Sequence, residues 1–338
     1  MRNLILAASA ALTLLCSCSK ENNEVFEPAT GSVINISFTD DAPQTRAFFG
    51  TTASAETWEK TLNSVTVFVF NPAGGLIVQR AFSTAELTAK KASFPLPNVT
   101  AGSSCDFYAV ANLSTSGITN KSALLALLET TASQYNGTFA EVSTGAKRAS
   151  GFVMSGYSTQ AIATAGSTTN VALTLKRTVA KVAIEASLSS SFNATYPGSV
   201  RINSVSIKKA ASQSPVIKPT IANSGSMNFS HTQISNVASG KYQNLFYLFE
   251  NGNLSAGSRV TATIRATYDV DGNFSTTTDQ TDMEYDAELT GDAAGAIMRN
   301  GYYRIAVTIN GLSGNSATMT LAVADWESPI TQNVSIGS

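Results

Sequence analysis

Apolar residues recur at every second position through most of this chain, in short runs cut by turns rich in Gly, Asn and Asp. A period of two puts successive side chains on opposite faces of a pleated strand, so such a chain stacks sheets instead of packing helices. In the first half the runs are Val33–Thr39, Leu62–Phe70, Leu76–Ala81, Phe94–Leu96, Cys105–Leu113, Gly151–Tyr157 and Asn170–Leu175. In the second they are Thr178–Ile184, Val200–Lys208, Tyr242–Glu250, Arg259–Asp269, Tyr285–Leu289, Tyr302–Ile309 and Thr318–Val323. Lys121–Thr131 (KSALLALLETT) is the clearest helical stretch. The expected fold class is all-β: two β-sandwich domains, 47–175 and 176–338, with Greek-key-like connections and one short helix in the first.

The N-terminus carries a different signal. Arg2 and the apolar run Leu4–Leu15 have the form of an export signal, and Leu15-Cys16-Ser17-Cys18 has the form of a bacterial lipobox. Cys18 has an aliphatic residue three positions before it and small Ser17 directly before it, so Cys18 is the expected lipidated residue and 1–17 the signal peptide. Lys20–Thr30 reads as a tether, Val33–Thr39 as a half-buried strand with Ile34, Ile36 and Phe38 on one face, and Asp40–Thr45 as an exposed loop leading to Arg46. Residues 18–46 are thus expected to form a lipidated propeptide containing a removable first strand, cut between Arg46 and Ala47.

Few residues suit catalysis. His231 is the single histidine, and no Ser, Asp or Glu constellation lies beside it. No phosphate loop, zinc cysteine pair or nucleophile elbow occurs, and Cys105 reads as a small core residue. The sequence predicts no enzyme and no cofactor. A formal net charge of -1 gives no footprint for nucleic acid. Asp269-Val270-Asp271-Gly272-Asn273 has the alternating oxygens of part of a calcium loop, without the downstream bidentate Glu. Asp-Gly between alternating runs is also a strong hairpin signal, and a turn is the preferred reading of Asp269 and Asp271.

The two ends of the chain match. Ile330, Val334 and Ile336 share one face of the last segment, as Ile34, Ile36 and Phe38 share one face of the first. A strand that leaves a sheet exposes an unpaired edge and apolar sockets, and a strand lent by another molecule can fill both. The alternative is that Ile330–Ser338 is the last strand of its own domain.

With these pieces the chain resembles the type V, Bacteroidia-type fimbrial subunits, a family of lipoprotein pilins. The resemblance rests on the lipobox, Thr45-Arg46-Ala47, Ser64–Phe70 with its Gly turn, Phe152–Gly156, Arg177–Val182, Phe246–Asn251, Asn300–Arg304 and Val323–Glu327. It implies transthyretin-like sandwiches, an outer-membrane lipoprotein precursor, and cleavage after Arg46 by an Arg-specific surface protease. It further implies donor-strand exchange, with Ile34, Ile36 and Phe38 in the displaced strand and Ile330, Val334 and Ile336 in a donor tail of about 328–338. The expected function is a stalk subunit of a surface fimbria that supports adhesion. Its expected partners are copies of itself, other fimbrial subunits, and host or bacterial surface ligands. The alternative is a tip or accessory adhesin, or a surface lipoprotein that binds glycan or host protein.

Overall fold

The computed structural model describes residues 32–39, 48–49, 55–217, 227–289 and 295–312, and the backbone of 317–325. The first half contains β1 (Ser32–Phe38), β2 (Val65–Phe70), β3 (Leu76–Ala81), β4 (Lys91–Leu96), β5 (Ser104–Ala111), β6 (Leu128–Glu129), β7 (Met154–Ala161), β8 (Thr168–Leu173) and β9 (Lys176–Arg177). The second contains β10 (Val179–Leu188), β11 (Ser199–Ala210), β12 (Ser214–Pro215), β13 (Phe229–Ile234), β14 (Asn236–Ala238), β15 (Lys241–Phe249), β16 (Thr261–Asp269), β17 (Gln280–Glu288), β18 (Gly301–Ile309) and β19 (Ala317–Asp325). This is the all-β architecture that the period-two pattern predicts.

Strands β4-β1-β8 form a three-stranded sheet that faces the five-stranded sheet β3-β2-β5-β7-β9. Ile34, Ile36 and Phe38 of β1 meet Val65, Val67, Phe107 and Ala109 of the opposite sheet in one core. The back of the five-stranded sheet is also buried: Phe68, Phe70, Tyr108 and Val110 lie under Leu124, Val216 and Ile217. That double burial explains why β2 and β5 read as nearly continuous apolar runs. In the second half, β14-β15-β10-β18-β19 stacks on β13-β11-β16-β17 around Val182, Ile184, Phe246, Ile264, Tyr285 and Ile305.

The expectation of one short helix needs correction. Among the described residues the first half holds three: α1 (Thr84–Ala89), α2 (Lys121–Leu125) and α3 (Phe139–Thr144), with α4 (Phe192–Thr195) in the second half. Both α1 and α3 start on reciprocal capping boxes, Ser83 with Glu86 and Thr138 with Glu141. The stretch expected to be helical through Thr131 stops at Leu125. Beyond it, Leu128–Glu129 pairs with Ser214–Pro215, and the buried Glu129 faces the buried Arg148 at 3.7 Å. Tertiary pairing has overridden the helix propensity of the leucine run.

The two sandwiches are joined by a buried polar cluster. Glu59, in the 3-10 turn Thr57–Lys60, lies 2.8 Å from the Lys181 ammonium of β10 and accepts from the Tyr247 hydroxyl of β15 at 2.5 Å. Arg177 donates from Nε to the Glu59 carbonyl at 2.8 Å and from Nη1 to Asn300 Oδ1 at 2.7 Å. Glu59 is 0% exposed and Lys181 2%. Burial lowers the Lys181 pKa, against the pull of the Glu59 charge. Burial and then the Glu59 charge push the Tyr247 phenol well above its ordinary value, so it keeps the proton it donates. Asn136 adds a further tie, with Nδ2 donating to the Tyr247 carbonyl at 2.8 Å and Oδ1 accepting from its amide at 2.9 Å.

Candidate functional site

The strand at the centre of the three-stranded sheet is the chain's own first element. β1 pairs antiparallel with β4, from Ser32 opposite Leu96 to Ser37 opposite Lys91. On its other side it pairs parallel with β8, from Val33 beside Thr168 to Phe38 beside Leu173. Burial alternates strictly along it: Ile34 and Ile36 are 0% exposed and Phe38 is 7%. The Phe38 ring lies 5.2 Å from that of Phe82. Without β1, β4 and β8 would share no partner, and a slot lined by the sockets of three large side chains would open to water.

Polar contacts finish both ends and the outer face. The Val33 amide donates to Ser167 O at 3.1 Å, and the Phe38 amide to Lys90 O at 2.9 Å. On the outer face, Asn35 Nδ2 donates to Asn170 Oδ1 at 3.2 Å, and Ser93 Oγ donates to Asn35 Oδ1 at 2.5 Å. That face forms the floor of an open groove flanked by α1, with Ala85, Glu86 and Ala89 on its wall. Burying Ile34, Ile36 and Phe38 contributes roughly 5–9 kcal/mol at about 1.5–3 kcal/mol per side chain, before the entropy of ordering the strand.

The residues that follow β1 have anchors of their own. Phe48 and Phe49 pack on the edge of the first core and are tied to the second sandwich: the Phe48 carbonyl accepts from the Tyr302 hydroxyl at 2.5 Å, and the Phe49 carbonyl from Arg304 Nε at 2.8 Å. The Lys181 ammonium sits 4.7 Å from the centre of the Phe48 ring, and the Phe49 ring stacks 6.2 Å from Phe139. A scission between β1 and Phe48 would therefore leave the strand attached by packing and ladder bonds alone, while the retained side keeps its own anchor.

Of the residues singled out in the sequence, Ile34, Ile36 and Phe38 are together in this core. Cys18, Arg46, Ala47, Ile330, Val334 and Ile336 lie outside the described residues. β19 pairs antiparallel with β18 and ends with Asp325 opposite Gly301, beside the Tyr302 that holds Phe48. His231 contributes a ring nitrogen 3.1 Å from Gly137 O and stacks on Phe229, a structural position. Cys105 is fully buried in the core. The sequence did not reveal Glu59 or Lys181, since nothing in it links residues that far apart. The anchor at Phe48-Phe49 had a readable signal in two adjacent aromatics directly after a polar loop.

Replacing Ile36 by alanine tests how much the fold leans on this strand. The full chain is expected to lose about 2–5 kcal/mol in urea unfolding. A loss below about 1 kcal/mol would show that β1 is not an integral part of the core.

Residues 32–189 match the family described as major fimbrial subunit protein (FimA), and that match starts at the first residue of β1. No curated protein matches the chain in sequence. Among solved structures, a putative cell adhesion protein from Bacteroides eggerthii is similar at a TM-score of 0.57 with 17% identity, over 89% of this chain and 97% of that one. A fimbrilin (fimA) from Porphyromonas gingivalis is similar at 0.57 with 13% identity, over 90% and 99%. The C-terminally truncated tip fimbrial protein Mfa3 from the same organism is similar at 0.55 with 14% identity, over 87% and 99%. At these identities the structural likeness speaks for the fold, and the family match carries the kinship over the first sandwich. Together they support the resemblance to the Bacteroidia-type fimbrial subunits.

Proposed function

We propose that this chain, a β-protein of the fimbrial-subunit type, is a stalk subunit that is exported as a lipoprotein, cut after Arg46 and polymerised by strand exchange. The observation that carries the reading is the position of β1: a central strand with three buried apolar anchors, joined to the rest of the chain through residues 40–47. A central strand whose loss leaves a paired slot on both sides suits replacement by a strand from a second copy. In this scheme Cys18 tethers the precursor to the outer membrane and an Arg-specific protease acts between Arg46 and Ala47. The Ile330, Val334 and Ile336 face of one subunit then takes the place of Ile34, Ile36 and Phe38 in the next. Lipid anchoring ends at the cut, since the acyl chains stay with residues 18–46. The role is structural, at the cell surface, with other subunits as partners.

The division into domains 47–175 and 176–338 belongs to the same proposal. β9 (Lys176–Arg177) is still the edge strand of the first five-stranded sheet and β10 opens the second, so the passage falls at Arg177–Val179, just beyond the proposed boundary.

The test is deletion of residues 330–338. The truncated chain is expected to remain a folded monomer with an unchanged unfolding midpoint and to form no polymer by electron microscopy or size-exclusion chromatography. Polymers of undiminished length would remove the tail from the assembly role. A large loss of midpoint would place the tail in its own domain.

A further inference from the structure

At the end of the second sandwich away from the first, β16 stops at Asp269 and β17 starts at Gln280, joined by the loop 270–279. Asp269 is paired with Ser199 at the start of β11, whereas Thr261, at the other end of β16, pairs with Lys208. The loop gathers three carboxylates: Asp269, Asp271 and Asp279 each place an oxygen within 4.8 Å of the others. Like charges this close repel one another unless a cation or a shared proton intervenes.

The surroundings supply hydrogen bonds but no positive charge. Asp269 is 0% exposed; its Oδ2 accepts from Gln280 Nε2 at 2.9 Å and the Gly272 and Asn273 amides also bond its carboxylate, while its Oδ1 is buried with no donor in hydrogen-bond geometry. Asp279 repeats the pattern: its Oδ2 accepts from the Asp271 amide at 3.2 Å, and its Oδ1 is buried and unpartnered. No lysine or arginine among the described residues makes an ion pair with any of the three. Arg201 on the adjacent β11 instead lies over the Phe274 ring at 4.5 Å and donates to Asn203 Oδ1 at 3.0 Å. Two orphaned carboxylate oxygens in a cluster of three acids amount to an unfilled demand for positive charge, and buried polar groups are rarely left so.

We infer that Asp269, Asp271 and Asp279 form a calcium site that ties the β16–β17 loop to the end of the second sandwich. Asp269 and Asp271 present oxygens at alternate positions, part of the spacing by which a loop wraps a hard cation, Asn273 Oδ1 accepts from the Ser275 amide at 3.2 Å, and Asp279 closes the circle from the far side of the loop. The carboxylate missing from the expected downstream position is thus replaced by one ten residues on. Calcium fits better than magnesium. Calcium accepts six to eight oxygens in irregular arrangements, while magnesium demands a near-ideal octahedron and sheds its water reluctantly.

The full chain stripped with EGTA is titrated with terbium, whose luminescence is read by direct excitation. Calcium is then added in competition. The expected result is a terbium signal displaced by calcium with a dissociation constant of about 10⁻⁴–10⁻³ M, the range of extracellular calcium modules. Asp271→Asn and Asp279→Asn are each expected to weaken calcium at least tenfold, and calcium should raise the melting temperature of the parent and not of the variants. Asp269 is fully buried, so the two loop variants serve as the readout, with circular dichroism checking that they fold. Absence of a calcium-displaceable signal overturns the site, as does unchanged affinity in both variants. Displacement by magnesium at equal concentration overturns the choice of calcium.

Discussion

The full chain carrying Arg46→Ala is expected to accumulate as monomer with residues 18–46 still attached, and to contribute nothing to surface polymer. The physical reason is occupancy. While β1 is covalently linked, its inward side chains fill the sockets of the core and both flanking ladders are paired. A competing strand must then displace a tethered one, and the effective concentration of a tethered segment lies in the millimolar range. Cutting the link turns the contest into exchange between two untethered strands. N-terminal sequencing of surface material together with size-exclusion chromatography checks the result. Polymer of parental length in the variant would overturn the role of Arg46, whereas a mature start at Ala47 in the parent supports it.

The second large effect concerns the polar cluster between the sandwiches. Glu59→Gln is expected to cost about 3–5 kcal/mol in urea unfolding, because it leaves the fully buried Lys181 ammonium without its counter-charge. Lys181→Met strands the Glu59 carboxylate in turn and is expected to cost a similar amount. The double variant Glu59→Gln with Lys181→Met should lose less than the sum of the two, since neither charge remains to be stranded. Additive losses would mean that the two groups do not act as a pair. Single losses under about 1 kcal/mol would mean that the cluster is solvated in solution.

How much of this was legible from the sequence depended on the range of the interaction. β1 was readable because Ile34, Ile36 and Phe38 alternate with Asn35 and Ser37, a local signature of a strand with one wet face. β2 and β5 were legible as strands, but not as elements buried on both faces. What covers the back of Phe68 and Tyr108 comes from Leu124 and from Val216–Ile217, distant in the chain. Helices α1 and α3 were missed although Ser83-x-x-Glu86 and Thr138-x-x-Glu141 announce them, because each is too short for an apolar stripe to develop. The leucines after Lys121 misled in the opposite direction: their spacing suits a helix, but Glu129 is held by a strand pair and by Arg148. The loop at Asp269 was readable as acidic, while the unpartnered oxygens that give it meaning depend on the fold of β16 and β17.

The placing of β1 has one more consequence. Since β1 runs against β4 and along β8, those two neighbours run against each other. Any strand laid between them makes one parallel and one antiparallel ladder, whichever way it points, and reversing it only exchanges which neighbour is which. The backbone of the slot is therefore indifferent to polarity. Direction has to be written in side chains: a small Ser32 socket at one end, two aliphatic sockets in the middle, and at the other end an aromatic socket against Phe82. A shift by one residue would turn every apolar group outward, so an occupant can settle only in steps of two residues, about 6.7 Å apart. Head and tail of any filament built through this slot would be told apart by that graded row of sockets and not by its hydrogen bonds.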